Sequence, residues 1–414
     1  MTPTYSDLFR VFGRIGMLSF GGPAAQIALM HKELVEERPW MSEEKFLGAL
    51  SFCMLLPGPE AMQLATYAGW RLRGTAGGLL AGLLFVLPGA AVILALAASY
   101  VTYGGVPLVQ AAFLGVKSAV VVVVLQALWK LSRKALITPL SWALAAAAFV
   151  AIYALGLPFP LIVALAALIG FALAPHPPEG AAAVAPPATK RATVPTFAIW
   201  SALWALPVAL VFWLDHSFLQ DIALFFSKLA IVTFGGAYAV LAYMTQTVSV
   251  DYGWISTAQM IDALGLAETT PGPLILVTEF VGLLAGYQQG GVLLMLLAGA
   301  LTLWCTFVPC FLWIFVAAPY VEWLTAQPRL KAGLAGITAA VVGVILNLSL
   351  WFALHVLFAD VARSALGAVP VWHSFDPFAL LLVAVAAGLL LWRKLSLPLV
   401  LLIMAALSTG AAMM

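Results

Sequence analysis

Apolar runs long enough to cross a bilayer recur along the whole chain, and they exclude most soluble folds. A helix needs about 20 apolar residues to cross roughly 30 Å of hydrocarbon. Only 9% of the 414 residues are charged and 64% are hydrophobic, so a soluble protein of this length could not cover its surface with polar groups. The sequence therefore predicts an all-α polytopic membrane protein. About thirteen spans are expected, near residues 15–30, 46–70, 75–100, 107–129, 138–156, 158–174, 197–214, 222–246, 257–286, 290–318, 332–357, 377–391 and 396–412.

The two halves of the chain are similar to each other. At a constant offset of 214, Phe20-Gly21-Gly22 falls on Phe234-Gly235-Gly236, and Pro57-Gly58-Pro59 falls on Pro271-Gly272-Pro273. Trp40 falls on Trp254, and the gap-free match predicts a duplication. Residues 175–195 are rich in Pro and Ala, which is typical of a linker. The predicted domains are a first repeat (1–174), this linker (175–195) and a second repeat with one extra connecting span (196–414).

The distribution of Lys and Arg predicts the orientation of the two repeats, because cytoplasmic loops are enriched in both residues. With thirteen full spans and a cytoplasmic N-terminus, thirteen Lys and Arg residues lie inside and four outside. If span 46–70 and its partner are re-entrant and the N-terminus is outside, the split is eleven to six, which is less favourable. In the first case the single extra span inverts the second repeat. Inverted repeats are a recurrent plan of secondary transporters, with the substrate site near the midplane.

The paired Pro-Gly-Pro motifs predict helices broken inside the membrane. Proline cannot donate a backbone hydrogen bond and clashes with the preceding turn. Unwound backbone at this depth is tolerated where it is buried in protein or lines a wet cavity. A matched break in each repeat favours a binding site over a simple proline kink. Whether each motif lies in a broken span or in a re-entrant hairpin stays open.

Free N–H groups at the start of a helix can bind an oxyanion. Ionisable residues inside membrane spans are also functional candidates. Each candidate also has a structural interpretation, namely helix packing, snorkelling, capping or ion pairing. The predicted substrate-binding residues are Pro57, Gly58, Pro59, Glu60, Gln63, Lys117, Thr269, Thr270, Pro271, Gly272, Pro273, Gly21, Gly22, Gly235, Gly236, Arg14 and Lys228. The proton-coupling candidates are Glu60, Glu268 and Glu279.

Two segments closely resemble the chromate ion transporter family. They are FGGPAAQIALMHKELVEERPWMSEEKFLGALSFCMLLPGPEAMQLATYAGWRLRGTAGG (20–78) and FGGAYAVLAYMTQTVSVDYGWISTAQMIDALGLAETTPGPLILVTEFVGLLAGY (234–287). The resemblance covers both repeats of a long-chain member. It implies chromate efflux across the bacterial inner membrane, chromate resistance, and thirteen spans with oppositely oriented halves. Sulfate or another tetrahedral oxyanion is the alternative substrate, because chromate shares the size, shape and charge of sulfate.

The remaining expectations concern partners and chemistry. Three cysteines and five scattered histidines have no metal-ligand spacing, and no nucleophile or nucleotide-binding motif is present, so we expect neither metal, cofactor nor enzymatic activity. The expected partners are the oxyanion and the lipid bilayer, with no nucleic acid. A homodimer is an open alternative. We expect a multi-pass protein of the bacterial plasma membrane with a cytoplasmic N-terminus.

Overall fold

The computed structural model describes residues 3–174, 190–234, 237–364 and 367–414, and it is almost entirely helical. Gly235, Gly236 and residues 175–189 of the predicted linker lie outside the described residues. The helices of the first half are α1 (Tyr5–Leu18), α2 (Gly22–His31), α3 (Glu43–Cys53), α4 (Glu60–Tyr103), α5 (Pro107–Ala135), α6 (Pro139–Tyr153) and α7 (Phe159–Ala172). Then follow α8 (Lys190–Trp213), α9 (Ser217–Val232), α10 (Ala237–Gln246), α11 (Thr257–Thr269), α12 (Val277–Ala317), α13 (Val321–Thr325), α14 (Pro328–Leu357), α15 (Pro377–Ala387) and α16 (Leu397–Ala412).

The prediction of an all-α polytopic membrane protein is confirmed. Within the described ranges, five helical segments are long and apolar enough to cross a membrane: Glu60–Tyr103, Pro107–Ala135, Thr193–Trp213, Leu274–Thr325 and Pro328–Leu357. Four shorter apolar helices accompany them. One small exception is an antiparallel hairpin of β1 (Val361–Ser364) and β2 (Gly367–Pro370).

The described residues pack into two compact units, and each unit takes segments from both halves of the sequence. Unit 1 contains Met1–Ala97, Ala174–Ala237 and Thr270–Lys331. Unit 2 contains Ala98–Leu173, Tyr238–Thr269 and Ala332–Met414. The packing units therefore do not coincide with the sequence repeats.

The span predicted over 15–30 is two helices that fold back on each other, not one. Between α1 and α2, Gly21 has φ +85° and interrupts the helix. Glycine adopts this left-handed conformation at little cost. Arg14 Nη1 lies 3.2 Å from Glu33 Oε1. In a continuous helix these residues would be about 28 Å apart. Residues 5–36 therefore form a helical hairpin, which we call hairpin 1.

The span predicted over 46–70 also folds back at its Pro-Gly-Pro motif. The rings of Phe52 on α3 and Tyr67 on α4 lie 5.7 Å apart between centroids. Fifteen residues of continuous helix would separate them by about 22 Å. α3 and the first arm of α4, residues 60–72, are therefore the two arms of hairpin 2. The fold-back at Pro57-Gly58-Pro59 is a hairpin and not one straight helix.

A sharp reversal follows each Pro-Gly-Pro arm. Gly74 (φ 64°, ψ −159°) and Gly291 (φ 74°, ψ −159°) interrupt α4 and α12 in a conformation that is almost restricted to glycine. A Cβ on Gly69 would lie 2.6 Å from Ala81 Cβ, and one on Gly286 would lie 2.9 Å from Ala298 Cβ. These small residues let residues 75–103 and 292–317 run back along the shorter arms.

A cavity of about 490 Å³ at one end of unit 2 brings three loops together. It is lined by Gly156 after α6, by Val250 before α11, by Thr257 at the start of α11, and by Ala362 on β1. Tyr153 OH fastens the β-hairpin by donating to Ala368 O at 2.8 Å. The thirteen-span arrangement predicted from the sequence would place residues 247–256 on the opposite side of the membrane from the other two loops.

His31 joins the end of hairpin 1 to the start of hairpin 2, outside the membrane-spanning helices. Its Nε2 lies 2.6 Å from Glu43 Oε2, and its Nδ1 lies 3.0 Å from Glu36 Oε1. The hydrogen bond to Glu43 is the largest cause that raises the pKa of His31 above its usual 6.5. Stability gained in this way is fully present below the unfolded pKa and is lost as the pH rises through the folded pKa.

We expect His31→Asn to lower the free energy of unfolding by about 0.5–1 kcal/mol at pH values below about 6.5, because both carboxylates are largely solvated. Above the folded pKa of His31 the loss should vanish. Thermal unfolding in detergent across this pH range measures the effect, with the exposed His373→Asn as control. A loss independent of pH would instead assign the role of His31 to its packing on Phe46, 5.2 Å away between ring centroids.

Candidate functional site

The chain breaks of the two repeats meet in unit 1 through two backbone hydrogen bonds. Gly58 donates its N–H to Thr233 O at 2.8 Å, and Gly272 donates its N–H to Ser19 O at 2.9 Å. Gly58 and Gly272 are equivalent at the offset of 214, and so are Ser19 and Thr233. We call the contact of Pro57-Gly58-Pro59 with Thr233 the first tip pair. The contact of Pro271-Gly272-Pro273 with Ser19 is the second tip pair.

The local sequence explains why the backbone is free to make these bonds. The prolines prevent α3 from continuing, and Gly58 takes φ +125° while Gly272 takes φ +86°. Ser19 (φ −78°, ψ 66°) and Thr233 (φ −75°, ψ 83°) leave the helical region at equivalent points. Each tip pair therefore supplies a partner to a peptide group that hydrocarbon would leave unsatisfied.

Two buried glutamines fasten the tips. Gln63 Nε2 donates to Pro57 O at 2.7 Å, and Gln26 Nε2 donates to Gly272 O at 2.7 Å and to Ser19 O at 3.3 Å. Gln63 was predicted as a site residue, whereas Gln26 was missed. The position of Gln26 in the sequence could have identified it, because both glutamines lie about one turn after the start of the helix that follows a break. The equivalent residues, Val240 and Val277, cannot do this, so the two tip pairs differ chemically.

Helix N-termini lie at the tips. Gly21 and Gly22 (φ +85° and +80°) open α2, and Glu60 is the first residue of α4. The first N–H groups of a helix have no intrahelical partner and carry the positive end of its dipole. Leu274–Leu276, directly after the second motif, forms one 3-10 turn that continues into α12. This arrangement can hold an anion by backbone N–H groups.

The acidic candidates lie in different surroundings. Glu279 on α12 is 3% exposed, and its Oε2 has no hydrogen-bond partner among the residues that the structure describes. Glu268, in unit 2, is 6% exposed and its Oε1 accepts from Tyr238 OH at 2.8 Å. Glu60 is partly buried at the start of α4. Burial of a carboxylate without a countercharge is costly, so ionisable groups in such surroundings are functional candidates.

Lys117 does not carry an uncompensated charge. Its Nζ lies 2.8 Å from Asp262 Oδ1, within unit 2. Tyr100 OH donates to the other oxygen, Oδ2, at 2.6 Å. Asp262 and Tyr100 were not predicted, since 145 residues separate Lys117 from Asp262 and no local pattern connects them.

The other basic candidates lie on helix surfaces rather than at a tip. Arg14 is exposed and bonds to Glu33, which is 1% exposed and also binds Arg38. Lys228 is likewise exposed, at the equivalent position of α9. Arg14 lies five residues before Ser19, and Lys228 lies five residues before Thr233.

The threonine candidates lie beside the second motif. Thr269 Oγ1 donates to Leu266 O at 2.7 Å, which caps the end of α11. Thr270 is 5% exposed. Over the described ranges, no group of three His, Cys, Asp or Glu residues is placed to hold a metal ion.

Comparison with known proteins places this arrangement in a family. A family model described as chromate transporter matches residues 6–171 and 220–410. The chain is 32% identical to a probable chromate transport protein of Synechococcus elongatus, over 97% of this chain and 95% of that protein. It is 32% identical to a chromate transport protein of Cupriavidus metallidurans, over 96% and 91% of the two chains.

A chromate transport protein of Pseudomonas aeruginosa is 33% identical, over 83% of this chain and 79% of that protein. No solved structure matches the chain significantly. These relatives are transporters rather than enzymes, and they agree with the apolar helices in indicating a multi-pass membrane protein.

We expect Gly58→Ala to destabilise the protein by about 2–4 kcal/mol, because a side chain there combines a left-handed backbone with a clash. Its Cβ would lie 2.7 Å from Gln63 Nε2 and 2.9 Å from Cys310 Sγ. Gly272→Ala should be milder, since its nearest atom is Leu276 Cδ1 at 3.1 Å. Gly48→Ala on α3, with open space around it, is the control, and thermal unfolding of purified protein is the measurement. Equal stability of Gly58→Ala and Gly48→Ala would contradict a structural role of the first tip pair.

Proposed function

The chain belongs to the chromate transporter family, and on that premise we propose that it is a secondary carrier that exports chromate from the cytoplasm and thereby confers chromate resistance. Export is coupled to protons, which enter as the oxyanion leaves. The observation that carries the proposal is the pair of Pro-Gly-Pro tips, at which unwound backbone and helix N-termini lie inside a membrane protein. Helix N-termini bind tetrahedral oxyanions through N–H groups without needing a fixed cation.

The substrate site in this proposal is built around the two tip pairs. Gly21, Gly22 and Glu60 contribute the helix starts of the first repeat, and Gln63 contributes a buried amide. Thr269, Thr270 and Pro271-Gly272-Pro273 contribute the corresponding edge of the second repeat, and the candidates Gly235 and Gly236 lie outside the described residues. Arg14 and Lys228 supply positive potential, and Lys117 is a further candidate for binding the oxyanion in unit 2, where Asp262 neutralises its charge. Glu60, Glu268 and Glu279 are candidates for carrying the coupled proton.

We further propose nine membrane crossings in place of thirteen. In this arrangement hairpins 1 and 2, and the equivalent residues of the second repeat, are four re-entrant hairpins. The folding back of hairpins 1 and 2, and the shared cavity of residues 156, 250 and 362, support this arrangement. The arms α2 and α3 are about 15 and 16 Å long, roughly half the hydrocarbon thickness. The crossings are 75–103, 107–135, 139–153, 159–172, 190–213, 292–317, 328–357, 377–392 and 397–412.

The first repeat has four crossings, and one connecting crossing follows it. This odd total inverts the second repeat, as do the six spans and one connecting span of the thirteen-span arrangement. Charge placement favours the nine-crossing arrangement. With a cytoplasmic N-terminus it leaves Arg363 outside and places Arg14, Lys117 and Lys228 within the membrane. The fifteen remaining cations lie at the cytoplasmic side: Arg10, Lys32, Arg38, Lys45, Arg71, Arg73, Lys130, Arg133, Lys134, Lys190, Arg191, Arg329, Lys331, Arg393 and Lys394. Fifteen to one is a stronger bias than thirteen to four.

Two variants, each with one introduced cysteine, distinguish the two topologies. Each position lies on opposite sides of the membrane in the two arrangements. Lys45 and Asp251 are both exposed, and the native Cys53, Cys305 and Cys310 are buried. With nine crossings, Lys45→Cys reacts with an impermeant maleimide only from the cytoplasmic side and Asp251→Cys only from outside. Labelling of intact cells and of inverted vesicles reads this out. The reverse pattern would restore thirteen crossings.

Inverted vesicles test the transport proposal directly. We expect vesicles that carry the protein to accumulate chromate when an imposed pH gradient makes their interior acidic. Glu60→Gln should lower the initial rate by about tenfold, since it removes an ionisable group at a helix start inside the membrane. Glu44→Gln, exposed at the start of α3, is the matched control. No uptake above vesicles without the protein would exclude proton-coupled chromate export.

Sulfate or another tetrahedral oxyanion is the second candidate substrate, because nothing in backbone N–H recognition distinguishes oxyanions of equal charge and shape. Competition by sulfate in the same vesicles decides between them. The carrier resides in the bacterial plasma membrane in this proposal, and a homodimer is compatible with it.

A further inference from the structure

Three apolar helices of unit 2, α5, α6 and α14, form an open groove of about 530 Å³ on the protein surface. Of the lining residues that the structure describes, only Ser132 has a hydroxyl, amide or charged group, and its Oγ already donates to Trp129 O at 3.0 Å. The groove therefore accepts an apolar ligand. Its larger lining side chains are Leu125, Trp129, Trp142, Phe149, Val342 and Leu346.

Small residues keep the groove open between bulky ones. α6 and α14 pack so closely that a Cβ on Gly343 would clash with Ala145 O. Ala145, Ala146 and Gly343 line the groove without filling it. Trp129 and Trp142 also line it, and they are 65% and 61% exposed. Large, exposed aromatic side chains on membrane helices are typical of the interface between hydrocarbon and headgroups.

A cluster of cations lies beside this groove, at the end of α5. Lys130, Arg133 and Lys134 are all exposed, and Arg133 Cζ lies 6.0 Å from the centre of the Trp129 ring. The sequence has no Asp or Glu from residue 61 to residue 178, and α14 has none either. The helices that form the groove therefore carry no acidic residue that could neutralise the three cations.

The groove has the depth of one leaflet. On α5 its lining extends from Leu125 to Leu136, which is about 16 Å of helix, or roughly half of the hydrocarbon thickness. The nine-crossing and the thirteen-span arrangements both place the three cations on the cytoplasmic side. The cytoplasmic leaflet contains anionic lipids, and basic pockets between membrane helices on this side bind their headgroups.

We propose that the groove binds one anionic phospholipid of the cytoplasmic leaflet. An acyl chain occupies the groove, and the phosphate of the headgroup accepts hydrogen bonds from Arg133. Lys130 and Lys134 add positive potential at the same end. This lipid site goes beyond the proposed transport and does not depend on it.

Charge favours a lipid over a second copy of the chain as the occupant. In a symmetric dimer the same surface of both copies meets at the two-fold axis. The cations at the end of α5 would then approach their own counterparts, with no acidic residue on the groove helices to separate them. Like charges brought together at an interface oppose association. An anionic lipid neutralises the cations and covers the apolar groove at once.

Lipid titration of the purified full chain in a neutral detergent tests the proposal. The probes are dioleoyl phosphatidylglycerol, dioleoyl phosphatidylcholine and inorganic phosphate. We expect only phosphatidylglycerol to raise the midpoint of thermal unfolding as its concentration increases, because a ligand that binds the folded state stabilises it by mass action. Native mass spectrometry should find one phosphatidylglycerol retained per chain, and no phosphatidylcholine.

Matched variants test the two parts of the site separately. Arg133→Gln should bind phosphatidylglycerol about fivefold more weakly, as expected for the loss of one cation near an anionic headgroup. Ala146→Trp should abolish retention of the lipid, because the new ring fills the groove and leaves the cations in place. The controls are Lys45→Gln, an exposed cation of unit 1, and Ala147→Trp, an exposed neighbour that does not line the groove. Both should bind as the native protein does.

Three results would overturn the inference. The first is equal stabilisation by phosphatidylglycerol and phosphatidylcholine, and the second is native affinity for phosphatidylglycerol in Arg133→Gln, an exposed substitution that does not disturb folding. The third is a native dimer that dissociates in Ala146→Trp, which would assign the groove to a second copy. Chromate uptake by vesicles is measured separately, so each of these results leaves the proposed function untouched.

Discussion

The hydrogen bonds of the two tip pairs are the contacts on which the rest of unit 1 depends. Backbone that leaves a helix inside hydrocarbon must find a partner for its N–H and C=O groups. Here Gly58 and Thr233, and equally Gly272 and Ser19, satisfy each other across the two repeats. Each tip thus takes its backbone partner from the other half of the chain.

The same constraint explains the hairpins. An arm that ends at mid-membrane is stable only if it returns to the side from which it entered or continues to the other side. The contact between Phe52 and Tyr67 identifies a return at the first Pro-Gly-Pro motif. The reversal at Gly74 then starts a helix long enough to cross, and Gly291 does the same in the second repeat. Breaks, reversals and long helices thus form one repeating plan.

The tip pairs of unit 1 and the polar cluster of unit 2 differ in charge. In unit 1 the hydrogen-bond donors at the tips are the neutral side chains of Gln26 and Gln63. Glu279 is buried, and its Oε2 has no hydrogen-bond partner among the described residues. In unit 2 a full ion pair is held by a tyrosine. Neutral donors suit an ion that must be released again, because they bind an anion without a permanent countercharge.

The sequence by itself determined the class of protein and the positions of the chain breaks, because apolar length, proline and glycine act locally. The matched motifs of the two halves predict a duplication. The sequence also identified Gln63, Glu60 and the Pro-Gly-Pro residues as candidates near those breaks. Only the tertiary structure decided that the runs at 15–30 and 46–70 fold back, since a proline break permits either direction and the choice depends on contacts such as Arg14 with Glu33. Likewise, only the tertiary structure gave Lys117 its partner, because Asp262 approaches it through the packing of α5 on α11 and not through any spacing along the chain.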